Sequence, residues 1–193
     1  MTKKQFFAVS TIILMVFMSF SCEKIKDEIN DAVAFDVNTN LDDQYFTLDS
    51  LEYSTGKGTN AWFTLTEFSG YINVDSIFSA NNLSSASIEN GTFTGVQVSL
   101  DNPPMGANFN FANEMRVTIA TTVDGEATEV ATTGTIPSNS TSLDFTVNQT
   151  NIASFINNNN FYVKLEADVV GPIPVALLPL IMTSQLTFTV TPL

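Results

Sequence analysis

Two-residue alternation of apolar and polar side chains runs through most of the chain after residue 32, and it leaves few folds open. Val33, Phe35 and Val37 alternate with Ala34, Asp36 and Asn38, and Phe46 and Leu48 with Thr47 and Asp49. Ala61, Phe63 and Leu65 alternate with Trp62, Thr64 and Thr66, and Val96, Val98 and Leu100 with Gln97 and Ser99. The pattern recurs at Met115–Ile119, Leu143–Val147, Phe161–Val169 and Leu186–Val190. A period of two with one apolar face is the signature of strands that cover a core on one side and meet water on the other.

The breaks between these runs carry turn chemistry. Asn90-Gly91 and Asp124-Gly125 each suit a tight hairpin, because type I′ turns need positive φ at two successive residues. Asp101-Asn102-Pro103-Pro104 is a strong stop, and the four asparagines Asn157 to Asn160 read as a loop. Eight to ten strands with short links and one core predict an antiparallel β-sandwich, with a small closed β-barrel as the alternative. A membrane-spanning barrel is disfavoured, because too few strands alternate over about ten residues with aromatic girdles. Short helical pieces are expected at Val74–Asn81 and Ile152–Asn157.

The first twenty residues differ from the rest. Lys3 and Lys4 precede an apolar stretch from Phe6 to Phe20, and no acidic residue occurs before Glu23. A basic start, an apolar run and small residues at Ser19 and Ser21 make a secretory signal. The run is shorter than the roughly 20 residues a spanning helix needs, and no basic stop-transfer flank follows it. Cys22 comes next and is the chain's only cysteine, so no disulfide can form within the chain.

Ser19-Phe20-Ser21-Cys22 resembles a bacterial lipobox, in the looser form of the Bacteroidota. The commonest pattern has Leu three residues before the cysteine, where this chain has Ser19. The resemblance implies cleavage before Cys22, a diacylglyceryl thioether on its sulfur and acylation of the new amino group. Two or more acyl chains anchor stably, since each buried CH₂ contributes about 0.8 kcal/mol. The organisation expected is a signal over 1–21, a lipidated cysteine with an acidic tether over 22–31, and a single β-domain over 32–193. Lys26-Asp27-Glu28 is similar to signals that export Bacteroidota lipoproteins to the outer face of the outer membrane. Asp49-Ser50-Leu51 and Asp75-Ser76-Ile77 resemble O-glycosylation acceptor sites of the same phylum, with Ser50 and Ser76 as acceptors.

Charge and missing residue types bound the function. The net charge is −13, and loss of Lys3 and Lys4 with the signal makes it more negative still. Such a domain is repelled by nucleic acid and by anionic lipid, so no nucleic-acid partner is expected. The chain has no histidine, which excludes Ser-His-Asp and Cys-His catalysis and the common zinc sites. A carboxylate-pair glycan hydrolase remains, but Asp124, Asp144, Glu166 and Asp168 fall on polar strand faces or turns without a motif.

Asp36 to Asp43 places oxygen ligands at every second residue, slightly like a calcium loop, but has Leu41 in place of the turn glycine and Thr47 in place of the closing Glu. Gly56-Lys57-Gly58-Thr59 lacks phosphate-loop spacing and reads as a flexible hairpin loop. No cofactor is expected beyond the lipid on Cys22.

The oddest segment after the anchor is Val169 to Met182, apolar and uncharged, with Pro172, Pro174 and Pro179 interrupting it. Either it closes one end of the core or it is exposed, in which case Ile173, Val175, Leu177, Leu178 and Leu180 would contact a partner or apolar ligand. The functional expectation is a non-catalytic envelope lipoprotein, held to a membrane by lipid, that presents its sandwich to a protein, glycan or hydrophobic ligand. The alternative is a carrier or chaperone for an apolar ligand.

Overall fold

A computed structural model describes residues 34–50, 62–83, 85–158 and 160–192. The signal, Cys22, the tether and Gly56–Thr59 lie outside the described residues. Nine strands are described: β1 (Phe35–Asp49), β2 (Trp62–Tyr71), β3 (Ala86–Leu100), β4 (Ala112–Ala120), β5 (Thr128–Thr132), β6 (Ser142–Asp144), β7 (Thr146–Val147), β8 (Asn160–Val169) and β9 (Leu177–Pro192). Helix α1 (Val74–Ala80) joins β2 to β3, and α2 (Ala153–Asn157) lies between β7 and β8.

The strands form two antiparallel sheets, in the orders β1-β9-β3-β6 and β2-β8-β4-β5-β7. They pack face to face as an all-β sandwich and do not close into a barrel. Inward residues interdigitate between the sheets: Phe93, Val98, Leu178, Leu180, Leu186 and Phe188 from the first, Met115, Val117, Phe161, Val163 and Leu165 from the second. Full burial of each such side chain contributes about 1.5–3 kcal/mol.

The proline-broken segment has two parts. Residues 170–176 cross from β8 to β9, with Val170 and Gly171 amides donating to the Phe111 carbonyl at 2.8 and 3.1 Å. Leu177 then opens β9, which lies between β1 and β3. A proline inside a central strand normally removes a ladder bond. Pro179 is accommodated because β3 has ended there. Its carbonyl accepts from the Asp101 amide at 3.0 Å, and its missing N–H would face the same departing chain.

Both short helices occur where expected. Asn73 caps α1, its Oδ1 accepting from the Ser76 amide at 2.9 Å. Asn151 clips α2 to β3: its Oδ1 accepts from the Gly91 and Ala153 amides, and its Nδ2 donates to the Glu89 carbonyl.

The structure corrects both tight-hairpin expectations. Asn90-Gly91 is not a hairpin but lies inside β3, opposite Thr189 and Phe188. Gly91 is there because α2 comes so close that a Cβ would sit 2.8 Å from Ile156 Cδ1. Asp124-Gly125 does lie between antiparallel neighbours, but in the longer connection 121–127 from β4 to β5, and neither residue has the positive φ of a type I′ turn.

Candidate functional site

The outer face of the four-stranded sheet is built from the polar half of the alternation. Its cross-strand rows place Asn38 beside Thr187 and Thr92, Asn40 beside Gln185 and Gly95, and Thr183 beside Gln97 and Asp144. A β-bulge between Phe93 and Gly95 puts a residue without a side chain at the centre of this surface. The nearest atoms that an added Cβ at Gly95 would meet belong to the Gln185 side chain, the first at 3.4 Å.

The resulting dent is a trough in two parts that adjoin at Gln185. One part, about 310 Å³, is lined by Gly95, Gln97, Asp144, Thr183 and Gln185, together with the buried Val96 and Phe145. The other, about 400 Å³, is lined by Asn38, Thr39, Asn40, Thr94 and Gln185, together with the buried Leu186. The trough therefore crosses β1, β9, β3 and β6. Gln97 Nε2 donates to Asp144 Oδ1 at 2.7 Å, and the Thr187 hydroxyl donates to Asn38 Oδ1. Gln185, Asn40 and Asn38 are exposed. These four strands contain no Lys or Arg.

Beside the trough, the outward half of the apolar segment forms a strip. Leu177, Pro179 and Ile181 point away from the core, and Tyr45 stands opposite Ile181. Tyr45 is 67% and Leu177 59% exposed. The inward half is core: Leu178 and Leu180 are buried, as is Ile173 in the crossover, and Val175 packs partly buried against them. The five residues named for an apolar contact are thus divided by the strand's own period, and only Leu177 is exposed.

The outer face of the five-stranded sheet carries Arg116 and Lys164, the only Lys and Arg among the described residues. The Arg116 guanidinium lies 4.2 Å from the centre of the Trp62 ring, and its Nε pairs with Glu166 Oε2 at 2.9 Å. Lys164 Nζ pairs with Glu67 Oε2 at 3.1 Å and donates to the Val123 carbonyl. Thr132 donates to Glu114 and Asn113 to Asp168. Glu114 and Asp168 are cross-strand partners, and each is engaged by one of these neighbours. A third depression, about 490 Å³, lies at Ser69, Thr121–Asp124 and Tyr162.

The remaining sequence candidates are scattered. Ser50 is half-buried at the end of β1, its amide bonded to the Ala176 carbonyl. Ser76 is exposed in the first turn of α1. The calcium-like residues Asp36, Asn38 and Asn40 lie in line along one strand. Alternate side chains there are about 6.6 Å apart, too widely spaced to wrap one ion at 2.3–2.6 Å. Among the described residues no group of three His, Cys, Asp or Glu is placed to hold a metal.

The trough was not singled out by sequence. Its residues come from positions far apart in the chain: Asn38 and Asn40 belong to the calcium-like run, Asp144 to the scattered carboxylates, and the rest have the pattern of ordinary solvated strand positions. The one available signal was Gly95, a glycine inside a strand run, which marks a bulge or a close approach.

No family model matches the chain, and no curated protein does. Among solved structures, it is similar to a chain of infectious bursal disease virus, Gx strain, at 16% identity and TM-score 0.31, covering 82% of this chain and 32% of that one. It is also similar to the CBM22-1–GH10 modules of Clostridium thermocellum endo-1,4-β-D-xylanase 10B, complexed with xylohexaose, at 12% identity and TM-score 0.24 over 81% and 26% of the two chains. A third likeness is to turnip yellow mosaic virus, at 12% identity and TM-score 0.20 over 82% and 94%. The chain spans about a third or less of the first two chains it resembles. At these scores the likenesses carry no argument.

Proposed function

We propose that this chain is an exported bacterial lipoprotein, anchored in the outer membrane through lipid on Cys22, whose sandwich serves as a non-catalytic binding module. The observation that carries the reading is the placement of the only cysteine directly after a basic and apolar leader, in Ser19-Phe20-Ser21-Cys22. A lone exported thiol is a reactive liability unless it is used, and alkylation by diacylglycerol uses it at that position. The acidic tether then spaces the sandwich from the lipid. Lys26-Asp27-Glu28 supports display on the outer face of the membrane, and Ser50 and Ser76 remain candidate glycan acceptors.

The orientation of β1 fits display. The tether enters the sandwich at Phe35, and Asp49 lies about 45 Å further along the strand at roughly 3.3 Å per residue. The exposed strip at Tyr45 and Leu177 is therefore at the end far from the anchor. An apolar-ligand carrier is the weaker reading, because Ile173, Leu178 and Leu180 are already spent on the core.

Growth with an alkyne-tagged fatty acid tests the proposal. The wild-type protein should become labelled and fractionate with membranes, and Cys22→Ala should lose both properties. Labelling that persists in Cys22→Ala sinks it.

A further inference from the structure

We infer that the trough across β1, β9, β3 and β6 is a binding site for a neutral oligosaccharide. The inference rests on the reading of the chain as a displayed binding module and assigns that module a ligand class. Sugar hydroxyls both donate and accept, and so do the side-chain amides of Asn38, Asn40, Gln97 and Gln185 that line the trough. Adjacent strands lie about 4.8 Å apart, close to the length of one pyranose unit, so four strands present groups to about three rings. Gly95 keeps the floor open where the chain of rings would cross β3. Tyr45, opposite Ile181 and one row along from Thr183, offers an exposed apolar ring face against which sugar C–H groups can pack.

Charge selects among ligands. The trough contains Asp144, and Asp42 and Asp43 lie exposed in the β1 bulge between Leu41 and Gln44. With no Lys or Arg on the four strands, uronic or sulfated glycans and other polyanions are repelled. A peptide on a sheet face needs apolar pockets for its side chains, whereas the apolar residues of the trough lining, Val96, Phe145 and Leu186, are buried in the core and the rest are Asn, Gln, Thr, Asp and Gly.

The test is calorimetric titration of the full-length protein in detergent with cellohexaose, maltohexaose, laminarihexaose and mannohexaose, and with tri-galacturonic acid as the anionic counterpart. At least one neutral hexasaccharide should bind and the uronate should not. Gln97→Ala and Gln185→Ala should each weaken binding about tenfold, the equivalent of one hydrogen bond of about 1.4 kcal/mol. Gly95→Leu, which projects outward into the trough, should abolish binding while the urea midpoint stays unchanged. Arg116→Ala, on the opposite face, should leave affinity as it is. Failure of all four neutral sugars to bind overturns the inference. So does binding that survives Gly95→Leu, or equal binding of the uronate. Fatty-acid labelling of the same preparation keeps the two readings apart: labelled protein that binds no sugar sinks the glycan site alone, and sugar binding without Cys22-dependent label sinks the anchor alone.

Discussion

The outer faces of the two sheets come from the same alternating pattern but hold their polar groups differently. On the five-stranded face, Arg116 and Lys164 are each tied to a carboxylate on a neighbouring strand, and Trp62 covers the guanidinium. Donors and acceptors there are largely consumed within the protein. On the four-stranded face no cation competes, and exposed amides and hydroxyls surround a dent. Both faces carry cross-strand hydrogen bonds, Gln97 to Asp144, Thr187 to Asn38 and Thr189 to Asp36 on the four-stranded one. The five-stranded face adds ion pairs, whereas the four-stranded face leaves Asn40 and Gln185 exposed at its dent.

The same contrast makes predictions about stability. The largest effects should come from glycines that admit close packing, one in each sheet. Gly70→Ala, in β2, puts a methyl 2.3 Å from the ring of the fully buried Phe161, and Gly91→Ala puts one 2.8 Å from Ile156. Each should cost about 1–3 kcal/mol, Gly70→Ala more than Gly91→Ala, measured by urea unfolding. The reverse ranking would show that Phe161 moves aside more easily than α2.

On the five-stranded face, Arg116→Ala should cost about 1–2 kcal/mol, because it uncovers Trp62 and strands Glu166, which is 15% exposed. Arg116→Lys should recover only part of this, since an ammonium cannot both stack on Trp62 and pair through Nε. An unchanged unfolding midpoint in Arg116→Ala would break the contrast.

A smaller effect, of opposite sign, is expected inside the four-stranded sheet. The Thr191 hydroxyl is buried without a hydrogen-bond partner, so Thr191→Val should stabilise by up to about 1 kcal/mol, read as a raised unfolding midpoint. The smallest belongs to the trough: Gln185→Ala should change stability by less than about 0.5 kcal/mol. A large loss there would mean that Gln185 braces the sheet rather than serving a ligand.

The fold class was legible because alternation is local. Met115, Val117 and Ile119, read as one apolar face, are all fully buried. The sheet order was not legible, since β9 pairs with β1 and β3 across most of the chain and nothing local encodes that choice. Asn90-Gly91 misled for the same reason: a glycine demanded by a helix sixty residues away looks, in sequence, like one demanded by a turn. The apolar segment from Val169 was ambiguous because its alternation is apolar on both faces. Pairing resolves it, sending Leu178 and Leu180 inward and Leu177 and Ile181 outward. The trough needs four strands, a bulge and a glycine in register, and none of these is visible one strand at a time.

Everything proposed about display depends on Cys22. The most direct test is the mass of the N-terminal peptide released from purified membranes by protease. The peptide should begin at Cys22 and carry the added mass of a diacylglyceryl group, with or without an amide-linked acyl chain. A peptide with an unmodified Cys22 thiol, or one that still contains the residues before it, would contradict the anchor.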